Sequence, residues 1–399
     1  MAALAVWPFG SLARLAMIRP LAAALCAASL LLSLPSHGAE RSIAGLRFIG
    51  EQRIPLRQDF QGTAIGGLSG VDYDAASGEW LLASDDRSAI NPARFYTARL
   101  DYDANAFRSV AVTAVHSFRQ ADGSVYPGVK AFDVNKRGDV PDIEALRIDP
   151  LDGTLWYTSE GDRKRGFDPF VRHARRDGGY LGAAQLPEMF RVSQEQKGTR
   201  DNLAFEGLSF APDGQSLWVS MEAPLYQDGA LPTPASGAVS RITRMGRDGR
   251  MLAQYAYQMD PIPAAPGPGK NADNGISEIL AVGRERLLVL ERSAVQDAAG
   301  AYKSYIRLYE MDTAGASDVR GLAALAGAAY RPAAKRLVLD LNTLGIALDN
   351  FEAMSFGPKL PNGHDSLLIV SDDNFDKSQA TLFLLFEVLP SIPKNGMLN

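Results

Sequence analysis

Residues 201–224 read DNLAFEGLSFAPDGQSLWVSMEAP. Two short apolar runs flank the turn sequence APDG, so this stretch predicts two antiparallel strands joined by a tight turn. Glu206 lies near the start of the first strand, and Glu222 directly follows the second. Because the strands run in opposite directions, the start of one lies beside the end of the other. Both acids are therefore expected at the same end of the hairpin.

The first strand of this hairpin recurs roughly every 70 residues, a period typical of solenoids, propellers and arrays. The other copies read GLSGVDYD (67–74), DIEALRIDP (142–150), ISEILAVG (276–283) and NFEAMSFGP (350–358). Four copies have a glutamate at the aligned position and one has a serine. The aligned residues are Ser69, Glu144, Glu206, Glu278 and Glu352.

The second strand recurs with the same spacing and ends in acid each time. Its other copies read WLLASDDR (80–87), LWYTSEGD (155–162), LLVLER (287–292) and LLIVSDD (367–373). The acids at these strand ends are Asp85, Asp86, Glu160, Glu222, Glu291, Asp372 and Asp373.

Each repeat continues through a third and a fourth β-rich segment, and four-stranded sheets repeated around an axis form a β-propeller. The sequence predicts an all-β protein with a single β-propeller domain over residues 40–399, built from five four-stranded blades, with six possible. The last repeat has no fourth strand of its own. Leu46–Leu56 precedes the first repeat and is expected to close the last blade, which would remove an open sheet edge.

Residues 1–39 have the features of a secretory signal peptide. Arg14 and Arg19 precede the apolar run Leu21–Leu34, and the small residue Ala39 offers a cleavage point. This run is short for a membrane span, which needs about 20 residues. We expect a periplasmic or secreted protein with no stable membrane anchor after cleavage.

The composition limits the kinds of partner that the protein is expected to bind. The chain has 399 residues, with 41 Lys and Arg against 46 Asp and Glu, giving a net charge of −5. A mildly acidic chain binds nucleic acid poorly. The single cysteine, Cys26, lies within the signal segment, so the mature chain is expected to have no disulfide. A monomer acting on a small anionic substrate is the expectation.

In a propeller the first strand of every blade lines the central channel, so the aligned acids would converge on one mouth. Oxygen ligands without cysteine favour Ca²⁺, with Mg²⁺ second. The alternative is that these acids cap strands and pair with nearby arginines. The candidate metal ligands are Asp85, Glu144, Glu160, Glu206, Glu222, Glu278, Glu352 and Asp372.

Several basic residues follow the strand-end acids or lie in the loop RKRGFDPFVRHARRDG (163–178). Arginine binds phosphate oxygens in a bidentate manner, which suits an anionic substrate beside a metal. The alternative is that they neutralise local acids or form a solvated surface. The candidate substrate-binding residues are Arg87, Arg163, Arg172, Arg292 and Lys377.

The repeats quoted above, together with PFVR at 169–172, resemble the phytase-like family described as "esterase-like activity of phytase". The resemblance implies a secreted β-propeller hydrolase of ester or phosphate-ester bonds. The family is similar in fold class to the calcium-dependent propeller phytases, in which calcium ions at the channel mouth bind phosphate and activate water. This chain departs from those six-bladed enzymes in its five predicted blades and in Ser69.

The sequence has no GxSxG elbow and no histidine in a catalytic-triad context, so metal-activated water is the expected nucleophile. We predict an exported, metal-dependent hydrolase of phosphate esters or related esters. Two alternatives remain open. One is a non-catalytic binding propeller with a structural calcium, and the other is a calcium-dependent lactonase or carboxylesterase.

Overall fold

The structure is a computed structural model that describes residues 40–391. It contains five four-stranded antiparallel sheets and one two-stranded sheet, which confirms the prediction of an all-β propeller with five blades. Within the described part of the chain, no helix is long and apolar enough to cross a membrane. The predicted signal peptide lies outside the described residues.

The chain begins with three strands that precede the first complete blade: β1 (Gly45–Ile54), β2 (Asp59–Phe60) and β3 (Thr63–Ala64). Blade 1 contains β4 (Leu68–Asp74), β5 (Glu79–Ser84), β6 (Arg94–Tyr102) and β7 (Phe107–Ser117). The short helix α1 (Val129–Asn135) lies between blades 1 and 2 in the chain. Blade 2 contains β8 (Ile143–Ile148), β9 (Leu155–Ser159), β10 (Phe170–Ala174) and β11 (Tyr180–Ala183).

Blade 3 contains β12 (Phe205–Phe210), β13 (Ser216–Met221), β14 (Val239–Gly246) and β15 (Met251–Gln258). Blade 4 contains β16 (Gly275–Ala281), β17 (Arg286–Gln296), β18 (Tyr302–Asp312) and β19 (Ala334–Asp340). Blade 5 adds β20 (Asn350–Phe356), β21 (Ser366–Asp372) and β22 (Thr381–Leu389). Short 3₁₀ helices span Glu188–Phe190, Tyr226–Asp228 and Leu341–Leu344.

The N-terminal strand closes the ring, as the sequence predicts. Strand β1 pairs antiparallel with β22, from Gly45 opposite Leu389 to Ile54 opposite Thr381. The fourth strand of blade 5 therefore comes from the start of the chain, and the last sheet has no unpaired outer edge at β22.

The three tryptophans of the second strands pack between blades. Trp80, Trp156 and Trp218 are all buried. Trp80 shares a cluster with Leu368 of blade 5, and Trp218 shares one with Leu287 of blade 4. Because apolar burial is the dominant favourable term in folding, these inter-blade clusters hold the sheets together.

Each inner strand has a β-bulge at the mouth end, and in four of the five blades the aligned residue of the sequence repeat occupies it. The register shifts at Ser69 in β4, at Glu144 in β8, at Glu206 in β12 and at Glu352 in β20. A bulge re-aims the side chain of the extra residue. The repeat that the sequence shows is therefore a repeated bulge that turns one side chain toward the channel mouth.

Blade 4 differs, and here the alignment of the sequence repeats was wrong by one residue. In β16 the register shifts at Ser277, between Ile276 and Glu278, so Ser277 occupies the bulge position. Glu278 takes the next position, where the other inner strands have glycine or alanine. A Cβ atom at Gly207 would lie only 2.6 Å from the Ile279 nitrogen, which shows how closely the inner strands approach there.

Glu278 forms a buried ion pair with Arg147 across the channel. Arg147 donates to the Glu278 carboxylate at 2.6 Å, and the two side chains are 3% and 0% exposed. Arg147 also donates to the carbonyl oxygens of Val71 and of Met354, the latter at 3.0 Å. Glu278 accepts from the Leu208 nitrogen at 3.2 Å. The pair thus bonds to the inner strands of all five blades.

We predict that Glu278→Ala strongly destabilises the propeller. Removing one partner of a buried ion pair leaves an uncompensated charge and costs about 3–5 kcal/mol. Urea denaturation would measure the free energy of unfolding. The matched control is Arg99→Ala, which removes an exposed partner of Glu79 and should leave stability within the scatter of the measurement. Equal losses in the two variants would contradict a bracing role for Glu278.

Candidate metal centre

The acids that follow the second strands are held beside the bulges by backbone hydrogen bonds. The Asp85 nitrogen donates to the Gly67 carbonyl at 2.8 Å, and the Glu222 nitrogen donates to the Ala204 carbonyl at 2.7 Å. In the same way, the Glu160 nitrogen donates to the Asp142 carbonyl at 3.0 Å. Each hairpin therefore presents a bulge side chain and a strand-end side chain at the same mouth of the channel.

In blade 4 the strand-end position belongs to Arg292, which lies opposite Gly275 in the register. Arg292 donates to a Glu222 oxygen at 2.9 Å, and its Nε lies 3.5 Å from a Glu352 oxygen. Glu291 points elsewhere and accepts from the Tyr257 hydroxyl at 2.8 Å. Arg292 therefore neutralises the acids of the blades on either side of it, 3 and 5.

The acids meet around a cavity of about 390 Å³, which we call the mouth cavity. Three arginines, Arg57, Arg87 and Arg292, also line it. Its acidic lining consists of Asp85, Asp86, Asp142, Glu144, Glu160, Glu206, Glu222 and Glu352. Asp86 is already neutralised by a buried ion pair with Arg94.

Two groups of three carboxylates within the mouth cavity can each hold a metal ion. Asp85, Asp142 and Glu144 form one group, and Glu144, Glu160 and Glu206 form the other. In each group the ligand atoms lie within 4.8 Å of one another, and Glu144 belongs to both. Carboxylate oxygens are the ligands preferred by hard cations such as Ca²⁺ and Mg²⁺. We call these two groups the carboxylate triads.

The protein supplies too few partners for these oxygens. Glu206 Oε2 is buried and has no hydrogen-bond partner within the described residues, and the same is true of Asp372 Oδ2. A buried carboxylate oxygen without a donor is costly unless a proton or a cation satisfies it. The donor set therefore fits a bound divalent cation.

Comparison with known proteins identifies the family. The family described as "Phytase-like: Esterase-like activity of phytase" matches residues 63–375 of the chain, which is most of its length. The protein belongs to this phytase-like family. A comparison with curated proteins found no match.

Solved structures that resemble this phytase-like protein share little of its sequence. An endo-arabinase from Bacteroides thetaiotaomicron is 13% identical, with a TM-score of 0.39, covering 83% of this chain and 96% of its own. The periplasmic gluconolactonase PpgL of Pseudomonas aeruginosa is 15% identical, with a TM-score of 0.33, covering 89% and 94%. With similarity this low, neither structure bears on the function.

Burial and mutual repulsion raise the pKa values of the triad carboxyls. Burial is the larger cause for Glu144, and Asp142 and Glu160 add to it. Burial also raises the pKa of Glu206, with Glu144 and Glu222 as like-charged neighbours. Where an arginine opposes burial the rise is smaller. The pKa of Asp142 is about 6 beside Arg87, and that of Glu222 is about 8 beside Arg292.

Four of the predicted metal ligands lie outside the triads, and two of these do not line the mouth cavity either. Glu278 does not line the mouth cavity, because its carboxylate is bound by Arg147 deeper in the channel. Asp372 is fully buried next to the cavity, where it repels Asp85 and helps to raise the pKa of that carboxyl. Glu222 and Glu352 line the cavity but are bound by Arg292.

The predicted substrate-binding residues fall into two groups, according to whether they line the mouth cavity. Arg87 and Arg292 line the mouth cavity, whereas the other three do not. Arg163 donates to the Thr199 carbonyl at 2.9 Å, and Arg172 stacks on the Phe170 ring at 3.8 Å. Lys377 is exposed in the loop between β21 and β22.

Sequence reasoning missed Asp142, Asn202 and Arg57. Asp142 was visible two residues before Glu144 in DIEALRIDP, but the repeats were compared at only one acid per strand. Arg87 donates to both Asp142 and Asn202. Nothing in the sequence marks Arg57, which approaches the cavity from the segment before blade 1.

A third group, formed by Asp149, Asp152 and His173, lies away from the mouth cavity. Asp149 already accepts from Arg247 at 2.7 Å and from the Trp156 indole at 3.1 Å. A metal ion there would have to compete with the guanidinium group of Arg247, so this group fits a cation poorly.

We predict that the metal-free protein loses thermal stability as pH rises. Carboxyls with raised folded-state pKa values, such as Glu222 at about 8 against 4.5 unfolded, bind protons in the folded protein that the unfolded chain has released. Stability therefore falls between pH 4.5 and 8. Melting temperatures measured in EDTA across this range would show the decline.

The double variant Glu144→Gln/Glu206→Gln is the control for this pH effect. Because it removes two of the affected carboxyls, its melting temperature should depend less on pH. A wild-type melting temperature that is constant or rising from pH 5 to 8 would contradict the raised pKa values of this cluster.

Proposed function

We propose that this phytase-like protein is an exported, metal-dependent hydrolase of phosphate esters or related esters. The observation that carries the proposal is the pair of carboxylate triads that share Glu144, together with the unpaired buried oxygen of Glu206. Family membership supports ester chemistry, and the acidic mouth cavity supports a cation as its agent.

Asp85, Asp142, Glu144, Glu160 and Glu206 would hold the ion. Ca²⁺ is the first candidate because an all-oxygen set drawn from several loops suits its flexible coordination, and Mg²⁺ is the second. When bound, such an ion supplies a polarised ester oxygen and a bound water of lowered pKa.

Arg87 has the position to bind the anionic part of a substrate. Its side chain is 37% exposed at the cavity, while its guanidinium is held by Asp142 and Asn202. A fixed cation next to the reacting group stabilises charge that develops in the transition state. Arg292 has a different role, because it is held by Glu222 and Glu352 and keeps those two carboxylates in place.

The described residues offer no histidine as an alternative catalytic base at this mouth. None of the three histidines lines the cavity. His116 stacks on Phe95, His173 stacks on Trp156, and His364 bonds to Glu387. This arrangement favours attack by water over a histidine-activated side chain.

A binding propeller with a structural calcium is the second candidate. One triad joins blades 1 and 2 and the other joins blades 2 and 3, so ions held in both would link three sheets through Glu144. Such a cross-link would stabilise the ring whether or not the protein catalyses a reaction. A calcium-dependent lactonase or carboxylesterase would use the same ion, and the substrate test below separates it from a phosphatase.

We predict calcium-dependent turnover of phosphate esters. The purified protein is treated with EDTA and then assayed, with and without Ca²⁺, on a phosphomonoester, a phosphodiester, phytate, an acyl ester and a lactone. Calcium-restored turnover of a phosphate compound is expected. Turnover of only the acyl ester or lactone would favour a calcium-dependent lactonase or carboxylesterase. No turnover, together with a calcium-dependent rise in melting temperature, would favour the binding propeller.

We also predict that Glu206→Gln weakens metal binding and activity together. Loss of a coordinating carboxylate should lower calcium affinity by at least about 10–100-fold, the range seen even for residues that only orient ligands. Calorimetric titration of Ca²⁺ would measure it. Asp152→Asn, in the third acidic group, is the matched control and should leave both properties unchanged. An unaltered Glu206→Gln variant would contradict the proposed metal site.

A further inference from the structure

The lining of the mouth cavity is not only charged. Besides the carboxylates and arginines, it includes Ala89, Ile90, Val129 and Phe375. Ile90 is 42% exposed, so its side chain is accessible to a ligand in the cavity. We call these four residues the apolar wall.

Phe375 is held in a fixed position at the base of the apolar wall. A Cβ atom at Gly66 would lie 2.8 Å from its ring, so the ring packs directly on the glycine backbone. Arg57 donates to the Phe375 carbonyl at 3.0 Å, which fixes the backbone from the other side. The wall is therefore preformed rather than dependent on a bound ligand.

Val129 is held over the cavity by contacts of helix α1. The Phe132 ring meets the Phe167 ring edge to face at 4.7 Å. Asp133 accepts two hydrogen bonds from Arg165, both at 2.9 Å. These contacts attach the helix to the loop that follows β9, so the upper part of the wall is also fixed.

The cations of the mouth cavity limit how much negative charge a substrate can carry. Arg87 is paired with Asp142, and Arg292 is paired with Glu222 and Glu352. Arg57 has no carboxylate within 4.0 Å among residues 40–391 and bonds only to the Phe375 carbonyl. Arg87 can still approach the anionic group, but it shares its charge with Asp142, so Arg57 adds the one full positive charge, which matches a substrate with a single negative charge. A polyphosphorylated compound such as phytate carries more negative charge than Arg57 and a divalent ion on the five triad carboxylates could balance.

We propose that the preferred substrate is a singly charged phosphodiester of an apolar alcohol. This inference rests on the proposed function and names its substrate class. The phosphate lies between the carboxylate triads and Arg57, and the alcohol packs on the apolar wall. The water oxygen bonds to phosphorus as the bond from phosphorus to the alcohol oxygen breaks. One water proton ends on the released alcohol, and the other stays on the new monoester until that group ionises.

The test compares kcat/KM for an aryl phosphodiester, a phosphodiester of glycerol and phytate, all with Ca²⁺. The aryl diester is expected to be the best substrate. Ile90→Ser should lower kcat/KM for the aryl diester about tenfold, because one lost apolar contact has that order of effect. It should leave the glycerol diester unchanged. Leu337→Ser is the control and should change neither, because Leu337 is also an exposed aliphatic residue, 51% exposed, but lies on β19 away from the cavity lining.

Arg57→Gln provides a second measurement that does not depend on the wall. It should lower kcat/KM for the aryl phosphodiester but not for a neutral aryl carboxylic ester, if that ester is hydrolysed. Preference for phytate or the glycerol diester in the wild type would overturn this inference and leave the proposed hydrolase intact. An Ile90→Ser variant that loses activity equally on both diesters would also overturn it. No turnover of any ester would overturn both proposals.

Discussion

The ion pair between Arg147 and Glu278 is the interaction on which the rest of the structure depends. It lies among closely approaching inner strands and bonds to all five of them. A charge pair in this position is favourable only because Arg147 donates further hydrogen bonds and Glu278 accepts them. With the channel braced from within, the acids at the mouth can be placed close together without pushing the blades apart.

The charge distribution at the channel mouth depends on blade 4, the blade that departs from the repeat. Blade 4 has Ser277 and Arg292 where the other blades have mainly acids. Arg292 neutralises Glu222 and Glu352 on either side of it, so the two carboxylate triads come from blades 1 to 3. A symmetrical ring of carboxylates would spread its repulsion evenly. The asymmetry produces one compact set of oxygens around Glu144 with the character of a cation site.

The fold was largely predictable because a bulge repeated in five strands leaves a visible period in the sequence. Glu206 and Glu144 could be assigned to the mouth for the same reason. The position of Glu278 could not be predicted, because a shift of one residue in a strand reverses the direction in which a side chain points. The role of Arg57 and the wall formed by Ile90, Val129 and Phe375 was also hidden. These residues come from loops whose positions depend on tertiary contacts, and loops carry no period.

The pairing of β1 with β22 also determines when the molecule can fold. Arg47 bonds to Glu387 at 2.6 Å, a contact between residues separated by 340 positions. Contacts of such long range form slowly, because the chain between them must first lose its freedom. The ring therefore closes only after its last strand is available. Until then blade 5 exposes the edge of a sheet, which can pair with other chains. A chaperone that shields this edge during maturation would protect the chain from aggregation.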